Sequence, residues 1–185
     1  MGIISVMIIF VCICVDNMVS ANMTAVNMTK ENKSVFSVKM ALFFTAFNVL
    51  LFGIGYLVSM IFFRNWVYFA HNWVAFAFLL LLGIKLILES IEKSPSFRDE
   101  DVANTRKLVK VSALLGLNSF LAGYAMETMD RSFFPEVLLL LVLSFLLTLL
   151  GSHLGGMHIK NLISKKFELV AGVVLIIMAI RMIII

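Results

Sequence analysis

Residues 2–22, GIISVMIIFVCICVDNMVSAN, and 134–155, FPEVLLLLVLSFLLTLLGSHLG, are apolar runs with very few charges. About 20 consecutive apolar residues carry a helix across a bilayer's hydrocarbon core, and both runs have that length. Four more windows of this kind lie at residues 40–62, 71–90, 109–128 and 167–185. The pattern predicts an all-α integral membrane protein with six transmembrane helices. Composition agrees: 62% of the 185 residues are hydrophobic and 14% are charged, against about 45–50% and about 25% in soluble domains. Six spans use about 120 positions, which leaves short connections and no room for an added soluble domain. The partners expected are the lipid bilayer and a small solute, with no nucleic acid. Cys12 and Cys14 are the only cysteines, and both fall inside the first window. Neither a disulfide framework nor a zinc motif is supported.

Val19-Ser20-Ala21 has the small residues of a leader cleavage site, but no basic segment precedes the run and Asp16 interrupts it. The first window is therefore expected to remain as a span. Asn22-Met-Thr, Asn27-Met-Thr and Asn32-Lys-Ser match the glycosylation acceptor pattern, which matters only in a secretory lumen; they read as a polar loop.

Basic residues set the direction. The first, third and fifth connections hold Lys30, Lys33, Lys39, Lys93, Arg98, Arg106, Lys107, Lys110, Lys160, Lys165 and Lys166, whereas the second and fourth hold only Arg64 and Arg131. By the positive-inside rule the odd connections are cytoplasmic and both termini face outside. Trp66, Tyr68 and Trp73 then fit an aromatic belt at the outer interface, with His71 among them as an interfacial side chain. The polar stretch from Glu92 to Lys110 divides the chain into a first three-helix unit at 1–92, a cytoplasmic connection at 93–108 and a second three-helix unit at 109–185.

The two units resemble each other. Trp73 through Lys85 aligns with Leu169 through Arg181, and the same interval places Gly55 on Gly151 and Asn48 on Ser144. A slightly different interval places Asp16-Asn17 on Asn118-Ser119. Because three is odd, the second copy must enter the membrane from the opposite face, giving two inverted three-helix repeats. Many secondary transporters with that architecture bind substrate near the midplane between the repeats.

An ionisable group inside a span costs about 2.5–3.5 kcal/mol on insertion scales and normally faces the bundle interior. Asp16 is the clearest case, and it shares a helix face with Cys12 and Ser20. At about 1.5 Å per residue, Asn48, Asn118 and Ser144 lie at a similar depth. Asp16, Asn48, Asn118 and Ser144 are therefore the candidate binding residues, and oxygen donors of this kind suit hard divalent cations such as Mn²⁺ or Mg²⁺. A soft metal would instead need Cys12 and some of the 12 methionines, which read as packing. Ser112, Gly116, Ser119 and Gly123, and likewise Gly151 with Gly155, are small-residue stripes that let helices approach. Lys85 and Arg181 read as snorkelling cations near span ends, and His153 and His158 as structural. With no phosphate loop, activated nucleophile or carboxylate pair, the chain is not expected to be an enzyme.

His71-Asn-Trp-Val-Ala-Phe through Gly83-Ile-Lys-Leu-Ile-Leu-Glu89 resembles the third span of the bacterial manganese efflux pump family, small six-span proteins grouped with the lysine-exporter superfamily. Lys166-Phe-Glu-Leu-Val-Ala-Gly-Val-Val-Leu-Ile resembles its sixth span, and the likeness extends over nearly the whole chain. The resemblance implies export of Mn²⁺ as a transported substrate across the bacterial cytoplasmic (inner) membrane, no cofactor, and correspondence of Asp16 with the family's first-span Asp. Where the family has a second Asp in span four this chain has Asn118, and where it usually has Glu in span two this chain has Asn48. Asp-Ala pairs become Asp16-Asn17 and Asn118-Ser119. Such departures also fit a diverged member that moves another small solute, or one that no longer transports.

Overall fold

The computed structural model describes residues 3–26, 33–63, 71–91, 105–128, 131–156 and 161–184. These form six helices: α1 (Ile3–Val26), α2 (Lys33–Phe63), α3 (His71–Ile91), α4 (Thr105–Thr128), α5 (Phe133–Gly156) and α6 (Asn161–Ile184). No strand occurs among the described residues. Trp66, Tyr68, His158, the acceptor asparagines 27 and 32 and most of the connection at 93–108 lie outside them, as does the side chain of His71.

Two helix ends depart from the apolar windows. Asn22 and Thr24 belong to α1 and are buried, which corrects their assignment to a loop. Their residue types signal a turn, but α5 packs against this end of α1: a Cβ added to Gly155 would strike the Asn22 carbonyl. Thr24 also bonds back to the Ser20 carbonyl at 2.8 Å, so its hydroxyl is satisfied without leaving the helix. At the other end of the first connection α2 starts at Lys33, a full two turns before its apolar window.

Five of the six helices are long and apolar enough to span a membrane; α6, whose described side chains run only from 166 to 181, is not among them. Helix α5 shows how these helices are oriented. Its Leu138, Leu146 and Leu150 are exposed, while Ser144, Thr148 and Ser152 are buried. Helix α2 repeats this, with Leu50, Leu57 and Ile61 outside and Asn48 and Ser59 inside. Apolar surface outward and hydroxyls inward is the arrangement lipid selects, because lipid offers polar groups no partners.

Inside the bundle, α2 packs on α4 and α5, α1 on α5 and α6, and α3 on α6 and α4. Exchanging α1 with α4, α2 with α5 and α3 with α6 returns the same set of principal pairs. Glycine permits the closest crossings. A Cβ on Gly55 would overlap the Phe120 carbonyl, and one on Gly151 would overlap the Met18 carbonyl. Those are the residues that the intervals found in the sequence place on each other, Gly55 with Gly151 and Met18 with Phe120.

The α3·α6 crossing is reciprocal. A Cβ on Gly83 would meet Ile176 and the Gly172 carbonyl, and one on Gly172 would meet Ile87 and the Gly83 carbonyl. This contact sets Gly83 against Gly172, an interval seven residues shorter than the one that aligns Lys85 with Arg181 in the sequence. Two helical turns of slippage are easy to miss where both helices are runs of aliphatic residues.

Candidate functional site

The polar residues at mid-depth sit where α1, α2, α4 and α5 approach one another. Asp16 and Asn17 come from α1, Thr45 and Asn48 from α2, Asn118 and Ser119 from α4, and Ser144 from α5. All seven are buried, and Asp16, the most accessible of the four predicted ligands, is only 6% exposed. Each polar residue occupies the inward stripe of its helix, with small neighbours such as Gly116 and Gly151 drawing the backbones together.

Two hydrogen-bonded groups result. In the first, Asn118 Nδ2 donates to Asp16 Oδ2 at 2.6 Å. The opposite end of the same amide, Oδ1, accepts from Lys85 Nζ, also at 2.6 Å. Lys85 pairs in turn with Glu89 one turn along α3, at 3.3 Å. In the second group Ser144 Oγ is the hub: Asn48 Nδ2 donates to it at 2.9 Å and Asn17 Nδ2 at 3.2 Å, and the Thr45 hydroxyl lies 3.4 Å away. Ser119 Oγ donates to Asn48 Oδ1 at 3.0 Å. The groups are joined through the chain itself, since Asn17 follows Asp16 and Ser119 follows Asn118.

The structure thus brings all four predicted residues together as two directly bonded pairs, Asp16 with Asn118 and Asn48 with Ser144. Asn17 and Ser119, noticed in the sequence only as neighbours, complete the hub. Lys85 was missed. Its position near a span end suggested a side chain reaching for water, whereas its ammonium turns onto Asn118. Only the neighbour across the α3·α4 contact reveals this.

Chemically, the cluster offers one carboxylate, three amide oxygens and three hydroxyls, a hard-oxygen set that suits a small divalent cation. It is not a ready-made cage: no group of three His, Cys, Asp or Glu side chains able to hold a metal occurs among the described residues. Cys12 and Cys14 are buried in the apolar core with Ile9 and Phe10. His153 is exposed on α5.

A family model described as "Putative manganese efflux pump" matches residues 31–183, which includes Asn48, Asn118 and Ser144 and begins beyond Asp16. A Crocosphaera subtropica protein named "Putative manganese efflux pump MntP" is 26% identical over 155 residues, covering 84% of this chain and 80% of its own. The protein of that name from Aliarcobacter butzleri is 25% identical over 152 residues, covering 82% and 83%. Its namesake from Methanothermobacter thermautotrophicus is 26% identical over 107 residues, covering 58% of this chain and 56% of its own. No solved structure matches.

Proposed function

The chain belongs to the manganese efflux pump family, and on that premise we propose that it is a secondary transporter, not an enzyme, that exports Mn²⁺ through the buried cluster of Asp16, Asn48, Asn118 and Ser144. The observation that carries this reading is the convergence of those four residues, from four different helices, at one depth. Asp16 supplies the negative charge, and Asn48, Asn118 and Ser144 supply neutral oxygens that replace water around the ion. Because these oxygens now accept hydrogen bonds from amide, hydroxyl and ammonium donors, loading exchanges those hydrogen bonds for bonds to the ion. That exchange lowers the cost of the unloaded state, which a carrier must also visit.

The fold behind it is two inverted three-helix repeats, 1–92 and 109–185, rocking against each other around the site. The exchange symmetry of the helix pairs and of the Gly55 and Gly151 contacts supports this. The basic connections support a multi-pass orientation in the cytoplasmic membrane with both termini outside. Cysteines introduced near Asn65 should react with an impermeant reagent added outside, and cysteines near Ser96 should not; the opposite labelling overturns the orientation.

A second reading, a membrane protein whose polar groups only hold helices together, draws on the fact that Asp16, Asn48, Asn118 and Ser144 are each hydrogen-bonded within the cluster. Asp16→Asn separates the two. Amide and carboxylate are nearly isosteric, so the variant keeps its shape and loses the charge. Cells expressing it should lose protection against excess Mn²⁺ while the protein remains inserted and folded. Full protection by the variant would make Asp16 a packing residue and leave the second reading standing.

A further inference from the structure

Lys85 has no part in the function proposed above, yet it makes one of the two shortest contacts in the cluster. Its neighbours fix the orientation of the Asn118 amide. The Asp16 carboxylate can only accept and the Lys85 ammonium can only donate, so Nδ2 must face Asp16 and Oδ1 must face Lys85. In this orientation the amide nitrogen, which does not ligate a cation, faces the carboxylate. The amide oxygen, which does, is occupied by Lys85. A cation shared by Asp16 and Asn118 requires the amide to turn over. Its NH₂ would then point at the ammonium, donor against donor. Ion and Lys85 therefore exclude each other at Asn118.

Glu89 gives the displaced ammonium a destination. It already pairs with Lys85 through Oε1 at 3.3 Å. Its Oε2 is buried and has no hydrogen-bond partner among the described residues, although buried carboxylate oxygens are normally satisfied. An ammonium leaving Asn118 can take up that acceptor without leaving α3.

We propose that Lys85 is a tethered competitor for the transported cation, holding Asn118 Oδ1 when the site is unloaded and moving wholly onto Glu89 when the ion binds. This rests on the reading of Asp16 and Asn118 as ion ligands. Lys85 would then set how tightly the ion is held, because the ion must displace a charge of its own sign. Replacing Lys85 with a neutral residue leaves two carboxyl groups to offset the two charges of the ion.

Mn²⁺ binding to the purified full-length chain in detergent, measured by calorimetry, tests this. Lys85→Met should bind Mn²⁺ about tenfold more tightly than the parent, and Lys85→Arg, which keeps the charge, should stay close to the parent. Adding Asp16→Asn to Lys85→Met should remove the gain. If Lys85→Met binds no more tightly while Asp16→Asn alone still abolishes binding, the ion site stands and the competitor role is overturned. If Asp16→Asn binds as the parent does, the site itself is wrong and this inference falls with it. Should Lys85→Met fail to fold, Lys85→Gln takes its place: it too is neutral, and tighter binding supports the role while unchanged or weaker binding overturns it.

Discussion

From Asn48 on α2 and from Ser144 on α5, two stripes of side chains run away from the candidate site, and they differ in kind. Along α2 the next two turns bring Phe52 and Tyr56; along α5 they bring Thr148 and Ser152. Phe52 is fully buried, edge-on to Phe10 at 5.7 Å and tilted on Phe133 at 6.4 Å, and Tyr56 lies on Phe133 at 5.1 Å. Thr148 and Ser152 instead bond back to the Ser144 and Leu149 carbonyls of their own helix, facing the α1 side that carries Asn22. Yet the backbones cross alike: Gly55 lies against Phe120 and Gly151 against Met18. Close approach and polarity are thus separately encoded, the first by glycines that the two halves share and the second by side chains that they do not.

The largest effect should come from the shared element. Gly55→Val and Gly151→Val each drive side-chain carbon into a backbone carbonyl and force helices apart, at a cost of about 3 kcal/mol or more. Both should yield little monodisperse protein on size exclusion. If one variant folds normally and the other does not, the two crossings are not equivalent.

The unshared element comes next. Phe52→Thr, which gives α2 the residue found at the matching place on α5, removes a buried ring from a three-way aromatic contact. It should lower stability in detergent by about 3 kcal/mol, the low end of what losing a core Phe costs. A thermal unfolding midpoint that does not move would mean the aromatic stripe is not packed as described.

Asn118→Asp probes the comparison at the site, since it makes α4 match the carboxylate of α1. Two carboxylates at hydrogen-bonding distance repel unless a cation lies between them. Mn²⁺ should therefore bind about tenfold more tightly, measured by calorimetry on the purified variant. Weaker binding would show that the hydrogen bond from Asn118 to Asp16 is needed for loading.

The smallest change belongs to Thr148→Val. The hydroxyl it removes bonds to a carbonyl that the helix already uses, so the loss should stay within about 0.5 kcal/mol. A larger drop in the unfolding midpoint would mean that Thr148 bonds beyond its own helix.

Much of this architecture was readable beforehand, and for a physical reason: a bilayer demands long apolar runs, and a polar group within one needs a partner. That reasoning located Asp16, Asn48, Asn118 and Ser144 by depth. It failed where depth along one helix is not enough. Asn22 and Thr24 look like loop residues until α5 is seen to pack against the end of α1 that carries them. Lys85 has the position of a snorkelling side chain, and only the approach of α4 turns it onto Asn118. The pairing of Gly83 with Gly172 is hidden because Leu, Ile and Val elsewhere on α3 and α6 are nearly interchangeable in pattern.

The hydrogen bond from Asn118 to Asp16 joins two positions that the proposed repeats make counterparts. In an assembly of two separate identical chains, a residue on the symmetry axis would meet its own twin, carboxylate against carboxylate or amide against amide. Linking the halves in one polypeptide lets each side of the axis mutate alone. One counterpart can become the acceptor and the other the donor, as the proposed repeats also make Asn48 and Ser144, where the amide donates to the hydroxyl. Two linked halves can in this way acquire a polarity where they meet that no pair of identical subunits could encode.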